Sequence, residues 1–124
     1  MISSGTSWET KFGYSRAIRI GNQVFVAGTT AIDENGKTVG SDPYTQAVYI
    51  FKKIEKALTE AGACLADIVR IRTFVTDIER WEQVGKAQGE CLGHIRPAAT
   101  LVQVSALVEP QLLVEIEADA IIQG

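Results

Sequence analysis

Between Leu112 and Ile122 the chain alternates residue by residue, with Val114, Ile116 and Ala118 on one parity and Glu115, Glu117 and Asp119 on the other. A period of two puts these sets on opposite faces of a strand, the carboxylates about 7 Å apart along one of them. One face must therefore be packed and the other must tolerate charge, so the strand belongs to a sheet covered on one side. The covering element is legible as well. Ala47, Ile50, Phe51, Ile54, Leu58 and Ala61 recur at helical spacing, while Lys52, Lys53, Glu55 and Lys56 fall on the wet side. Asp42 is placed to cap this helix, Pro43 to occupy its first position and Gly62 to end it.

The other elements follow from similar signals. Tyr14 to Ile20 and Gln23 to Ala27 read as a hairpin about Gly21-Asn22, with Gly28 ending its second strand. Ile68 to Thr76 is a β-branched strand, after which Asp77 caps a second helix with Ile78, Trp81, Val84 and Cys91 facing inward. Gly93 and Pro97 close that helix, and Thr100 to Leu107 joins the Leu112 to Ile122 strand across Val108-Glu109-Pro110-Gln111. The order β-β-α-β-α-β-β predicts an α+β sheet with both helices on one face, and 124 residues make residues 1–124 one domain. At period two, Val24, Val26, Val102, Val104, Val114, Ile116 and Ala118 face the helices. Arg19, Phe25, Arg70, Arg72, Phe74, Gln103, Glu115, Glu117 and Asp119 fall opposite. That second face has two readings: a solvated surface with ion pairs of ~0 to 1 kcal/mol each, or a surface covered when several copies assemble.

Charge and motif spacing exclude several functions. Twelve basic against fifteen acidic residues give a net charge of −3, which argues against nucleic-acid binding and suits small or neutral partners. Met1-Ile2-Ser3-Ser4-Gly5 lacks the features of a secretory signal, and no apolar run approaches the ~20 residues of a membrane span, so the expected location is the cytoplasm. Cys64 and Cys91 lie far apart without metal-ligand spacing, which predicts reduced, buried, structural thiols. Ala31 to Thr38, A-I-D-E-N-G-K-T, imitates a phosphate loop, but Asp33 and Glu34 would repel phosphate and the helix waits until Pro43. His94, the only histidine, lies in a loop without a nucleophile motif and reads as a surface residue. Of the three strand carboxylates, the nearby Arg70 and Arg72 favour ion pairing for at least two, leaving one for function.

Several strings together carry a family resemblance: Val26-Ala27-Gly28-Thr29-Thr30-Ala31, Gln46, Ala61-Gly62-Ala63 with Asp67-Ile68-Val69, Phe74-Val75-Thr76-Asp77, Pro97-Ala98-Ala99-Thr100, and Leu113-Val114-Glu115-Ile116-Glu117-Ala118. In this order and spacing, from about Tyr14 to Ile121, the chain resembles the reactive-intermediate deaminase (RidA-type, YjgF-like) family. The resemblance implies a chorismate mutase-like fold, a homotrimer whose sheets form a central barrel, and a small-molecule cleft between neighbouring subunits. In the family's deaminases an arginine after the proline holds the carboxylate of a 2-imino acid while water attacks the imine carbon. The arginine's planar fork suits a carboxylate.

This chain departs from that pattern where the anchor should be. The family's Pro-x-Arg-Ser-Cys is represented by Pro97-Ala98-Ala99-Thr100-Leu101, which puts Ala99 at the arginine position and Thr100 beside it as a polar wall. Tyr14, the Gly28 backbone and Glu115 match the family's cleft tyrosine, strand-end contact and water-orienting glutamate. Arg96 either reaches the cleft from its loop or pairs with a carboxylate at the interface. Trp8 and Phe12 either line the cleft mouth or pack. The resemblance thus implies an imine- or carbonyl-binding trimer without a cofactor, with deamination as the inherited chemistry. A non-catalytic ligand-binding trimer is the alternative, and the ribonuclease activity with which some members are labelled is the third reading.

Overall fold

A computed structural model of the chain describes residues 1–4 and 7–123. In chain order the elements are α1 (Ser7–Phe12), β1 (Ala17–Ile20), β2 (Gln23–Thr30), α2 (Pro43–Glu60), β3 (Ile68–Val75), α3 (Trp81–Leu92), β4 (Ala98–Gln103) and β5 (Val114–Ile121). After α1, which the apolar pattern does not mark, they follow the expected β-β-α-β-α-β-β order. The strands form one five-stranded sheet in the order β1-β2-β5-β3-β4. Neighbours are antiparallel except β3 and β4.

The strand of strict alternation, β5, lies at the centre. Val114, Ile116 and Ala118 are fully buried against the helices. Helix α2 supplies Ile50, Phe51, Ile54 and Leu58 to the same core, and α3 adds Val84, Ala87 and Leu92. Each fully buried large side chain contributes roughly 1.5–3 kcal/mol. The ends of α2 are those expected. Asp42 accepts from the Thr45 amide at 3.1 Å, Pro43 opens the first turn, and Gly62 follows with φ 86°, a left-handed backbone that a side chain would strain.

A buried glutamine ties this helix to the sheet. Gln46 is fully buried; its Nε2 donates to the Gly40 and Gln111 carbonyls at 3.1 and 2.9 Å, and its Oε1 accepts from the Leu113 amide at 2.9 Å. One side chain therefore satisfies three backbone groups on the two segments flanking the helix start and β5.

Several expectations need correction. Arg19 lies on the helix side of β1, opposite Val24, and its Nη1 donates to the Ala61 carbonyl at the end of α2 at 2.8 Å. Val102 does not face the helices: it stands opposite Phe74 and is 42% exposed, whereas Leu101 packs against the core. Gln103 changes sides with it, its Oε1 accepting from the Ile78 amide at 2.9 Å, and Val104 lies beyond the end of β4. Apolar residues occupy both parities here, so alternation alone does not fix the faces. Ile78 and Trp81 do not point inward either, being 38% and 53% exposed. Asp77 caps a 3₁₀ turn over Ile78–Arg80 rather than the α-helix itself, and three residues per turn rotate the apolar phase before α3 begins. Cys64 is exposed rather than buried, and Cys91 is partly buried; both are free thiols. Among the described residues no helix is long and apolar enough to cross a membrane.

Replacing Gln46 by leucine keeps the volume but strands the Gly40 and Gln111 carbonyls and the Leu113 amide. A loss of about 3 kcal/mol or more is expected, at ~1–3 kcal/mol per unsatisfied group, measured as a lower urea midpoint at unchanged slope.

Candidate functional site

The β1 to β2 ladder ends at Ala17 opposite Val26, followed by one further bond from the Ala27 amide to the Arg16 carbonyl at 3.0 Å. Beyond it the outer edge of β2 has carbonyl groups that still need donors. Two cations supply them. Arg16 Nη2 donates to the Gly28 carbonyl at 2.5 Å, and Lys53 Nζ, reaching across from α2, donates to the Thr30 and Ile32 carbonyls at 2.7 and 2.9 Å.

Both cations are held away from water. Arg16 is only 8% exposed, and its Nε is buried without a partner. Burial is the main cause lowering its pKa, opposed by Tyr14, Glu9 and Glu115. Lys53 is lowered to about 8, by burial first and by Arg16 next, with Glu9 and Asp33 opposing. Glu9 of α1 is itself buried and accepts from Ser3 Oγ at 2.9 Å, the Ser4 amide at 3.0 Å and Ser4 Oγ.

Glu115 approaches the same place from the open face of the sheet. The register between β2 and β5 shifts between Val26 and Thr29, and a β-carbon on Gly28 would overlap Glu115 Oε2 and stand 3.1 Å from its Cδ. Glycine is the residue that permits this approach. Desolvation raises the Glu115 pKa, Arg16 opposes the rise and Glu117 adds to it. The other two carboxylates of the strand are engaged elsewhere: Glu117 and Asp119 each lie 3.2 Å from Arg72 Nη1. Two of the three carboxylates are thus paired, as expected, both with Arg72. Tyr14, 42% exposed, stacks loosely near the Arg16 guanidinium, 6.0 Å from ring centroid to carbon.

Tyr14, Gly28 and Glu115 thus come together, and Arg16 joins them unforeseen. It lies two residues after the matched tyrosine, at the entrance of β1. The remaining site residues lie elsewhere. Ala99 is registered with Ile71 and Thr100 with Arg72, so the two face opposite sides of β4, and β3 separates them from β5. Arg96 is exposed on a left-handed backbone, φ 55°, and its amide donates to the Leu92 carbonyl at 3.0 Å. With Trp81, Gly85, Leu92, Pro97 and Leu101 it lines a groove of about 330 Å³ between α3 and β4.

The remaining motifs resolve simply. In the phosphate-loop look-alike, Asp33 Oδ1 accepts from the Asn35 and Lys37 amides at 2.9 Å each, so the loop's own carboxylate takes donors that a phosphate would require. His94 is exposed. Trp8 and Phe12 stack on one another, centroids 5.6 Å apart, and remain 41% and 62% exposed.

Known proteins resemble this chain along nearly its whole length. The endoribonuclease L-PSP family model matches residues 5–122. A solved structure from Mycobacterium tuberculosis, described as a member of the YjgF/YER057c/UK114 family, superposes with a TM-score of 0.91 at 50% identity, covering 98% of each chain. A RutC family protein of Pyrococcus abyssi is 37% identical over 86% of this chain and 84% of its own length. An Acinetobacter baylyi protein named 3-aminoacrylate deaminase RutC is 32% identical over 83% of this chain and 82% of its own. With its five-stranded sheet, its helices on one face and these relatives, the chain has the chorismate mutase-like fold and belongs to the RidA-type, YjgF-like family.

Proposed function

We propose that residues 1–124 act as one RidA-type unit of a cytoplasmic homotrimer, which binds a small imine-, enamine- or carbonyl-bearing metabolite between neighbouring copies and hydrolyses the imine to a ketone and ammonia. The observation that carries this reading is the division of the matched residues between the two halves of one sheet. Tyr14, Gly28 and Glu115 gather near β2, whereas Ala99 and Thr100 belong to the far edge strand, β4, and Arg96 to the loop that leads into it. A cleft containing both sets needs a second copy. The open face supports the same assembly, since Ile18, Phe25 and Val102 are each 42% exposed there and association would remove them from water.

In the proposed reaction a water held by Glu115 attacks the imine carbon, and Glu115 accepts one of its protons. Glu115 returns that proton to the nitrogen to complete the carbinolamine, then passes the hydroxyl proton to the nitrogen as well, so that the C–N bond breaks and leaves the ketone and ammonia. Positioned polar groups suffice for these steps, so no cofactor is invoked. Tyr14 and the Gly28 backbone contact substrate, and Thr100 forms a polar wall. With a methyl group at Ala99, Arg96 is the cation from the β4 side that meets a ligand's anionic group.

Ala99 also favours a second reading, a trimer that binds its ligand without turnover, because the family's charge-assisted carboxylate contact is absent at that position. Ribonuclease activity finds the least support: Glu115, Glu117 and Asp119 line the open face, and the net charge of −3 repels phosphate backbones.

Ammonia release from freshly generated 2-aminoacrylate and 3-aminoacrylate separates the first two readings. The wild type should exceed buffer, and Glu115→Ala should lose about 10²- to 10⁴-fold, the range for a general base; no release across a panel of imines leaves only binding. Gly28→Ala should fold, because the overlapped atom is the movable end of a side chain, yet turnover should fall towards that of Glu115→Ala as the carboxylate is displaced. Arg16→Gln should move the Glu115 titration to higher pH in a carboxyl-carbon NMR experiment, because the charge opposing its desolvation is gone. The sign follows from linkage: a carboxylate with a raised folded pKa contributes stability at low pH that is lost as pH rises through that value.

A further inference from the structure

Arg16 and Lys53 do more than close a strand edge. They also line a cavity of about 110 Å³ between the N-terminal residues, the end of β2 and α2, together with Ser3, Ser4, Ile32 and Tyr49. At roughly 30 Å³ per water in the liquid, that volume admits a solute of a few heavy atoms. Its cationic floor has donors to spare. The Lys53 ammonium has three, of which the Thr30 and Ile32 carbonyls take two. The Arg16 guanidinium has five, and its buried Nε has no partner. Buried donors of this kind call for an acceptor.

Charge limits what the acceptor can be. Glu9 acts electrostatically on both cations and Asp33 on Lys53, so the floor is close to charge balance and its pull on an acceptor comes from the unused donors. Asp33, also in the lining, has its Oδ1 committed to the Asn35 and Lys37 amides, and Glu34, Lys56 and Glu60 form an exposed rim of mixed sign. Glu115 reaches Gly28 from the open face of the sheet, whereas this cavity lies at the outer edge beside α2. We propose that the cavity is a binding site for a small monocarboxylate, its oxygens accepting from Arg16 and from the spare Lys53 donor. A singly charged ligand adds the least repulsion from Glu9 and Asp33, and a planar carboxylate matches the guanidinium fork. This site shares Arg16 with the cleft proposed for imine chemistry but opens beside α2 and needs no second copy of the chain.

The test is an amide chemical-shift titration of the unmodified protein with formate and acetate, using chloride and inorganic phosphate at equal ionic strength as controls. Saturable shifts centred on Arg16, Ile32 and Lys53 are expected with the carboxylates. Because Lys53 titrates at about 8, binding should take up protons near that pH, read by calorimetry in buffers of different ionisation heat, and affinity should fall as pH rises through it. Lys53→Met should weaken binding by about tenfold or more and abolish the proton uptake, while Glu117→Gln, whose carboxylate is paired with Arg72, should leave both unchanged. Shifts centred on Glu115, equal or stronger binding of phosphate at the same residues, or no saturable shift up to tens of millimolar would overturn the proposal.

Discussion

A strand edge inside a folded chain must find donors for its carbonyl oxygens, and in this molecule that demand falls on β2 once β1 has ended. Arg16 and Lys53 meet it with charged groups drawn from either side, one beside the tyrosine that precedes β1 and the other from the middle of α2. The consequence reaches well past the edge. Burial lowers the proton affinity of both cations and Arg16 lowers that of Lys53 further, while both feel the buried Glu9 and stand behind the backbone that Glu115 touches. Hydrogen-bond satisfaction, ion placement and the ionisation of the candidate base are therefore one problem with one solution.

The strand β5 has a corresponding role in the sheet. Its apolar parity anchors the core, and its acidic parity distributes three carboxylates between two tasks. Arg72 takes Glu117 and Asp119, and the half-exposed setting makes those contacts modest in energy. Their larger effect is on arrangement, because the guanidinium is already occupied and Glu115 is left to the glycine and to Arg16.

How far the sequence revealed this depends on the kind of signal each element carried. Helix α2 was legible to its ends, since Asp42, Pro43 and Gly62 each have a local stereochemical reason for their places. The two faces of β5 were equally clear because every residue obeys one period. The fold and family were legible too, with matched strings spread along nearly the whole chain. Where a segment carries apolar residues on both parities, as at Leu101 and Val102, only the register with β3 decides which faces inward. The 3₁₀ turn ahead of α3 hid the helix phase for a similar reason, its cap being genuine but belonging to a tighter helix. Arg16 escaped notice because an arginine at a strand entrance looks like any surface charge; its burial comes from α1 and α2 closing over it, contacts that local patterning does not encode. Tyr14, Gly28 and Glu115 were placed near one another by the matched pattern, whereas nothing in the local sequence marks the left-handed backbone of Arg96.

The position of β4 carries a cost during synthesis. It is the last strand of the sheet, it pairs in parallel on one side only, and among the described residues no strand lies beyond it. Its residues include the exposed Ala98, Ala99 and Val102, without the lysines, bulges or internal prolines that ordinarily deter indiscriminate strand addition. A newly made copy is thus a template for aggregation until something covers that border, and its yield in a cell depends on how quickly the border is protected compared with how often two unprotected borders collide.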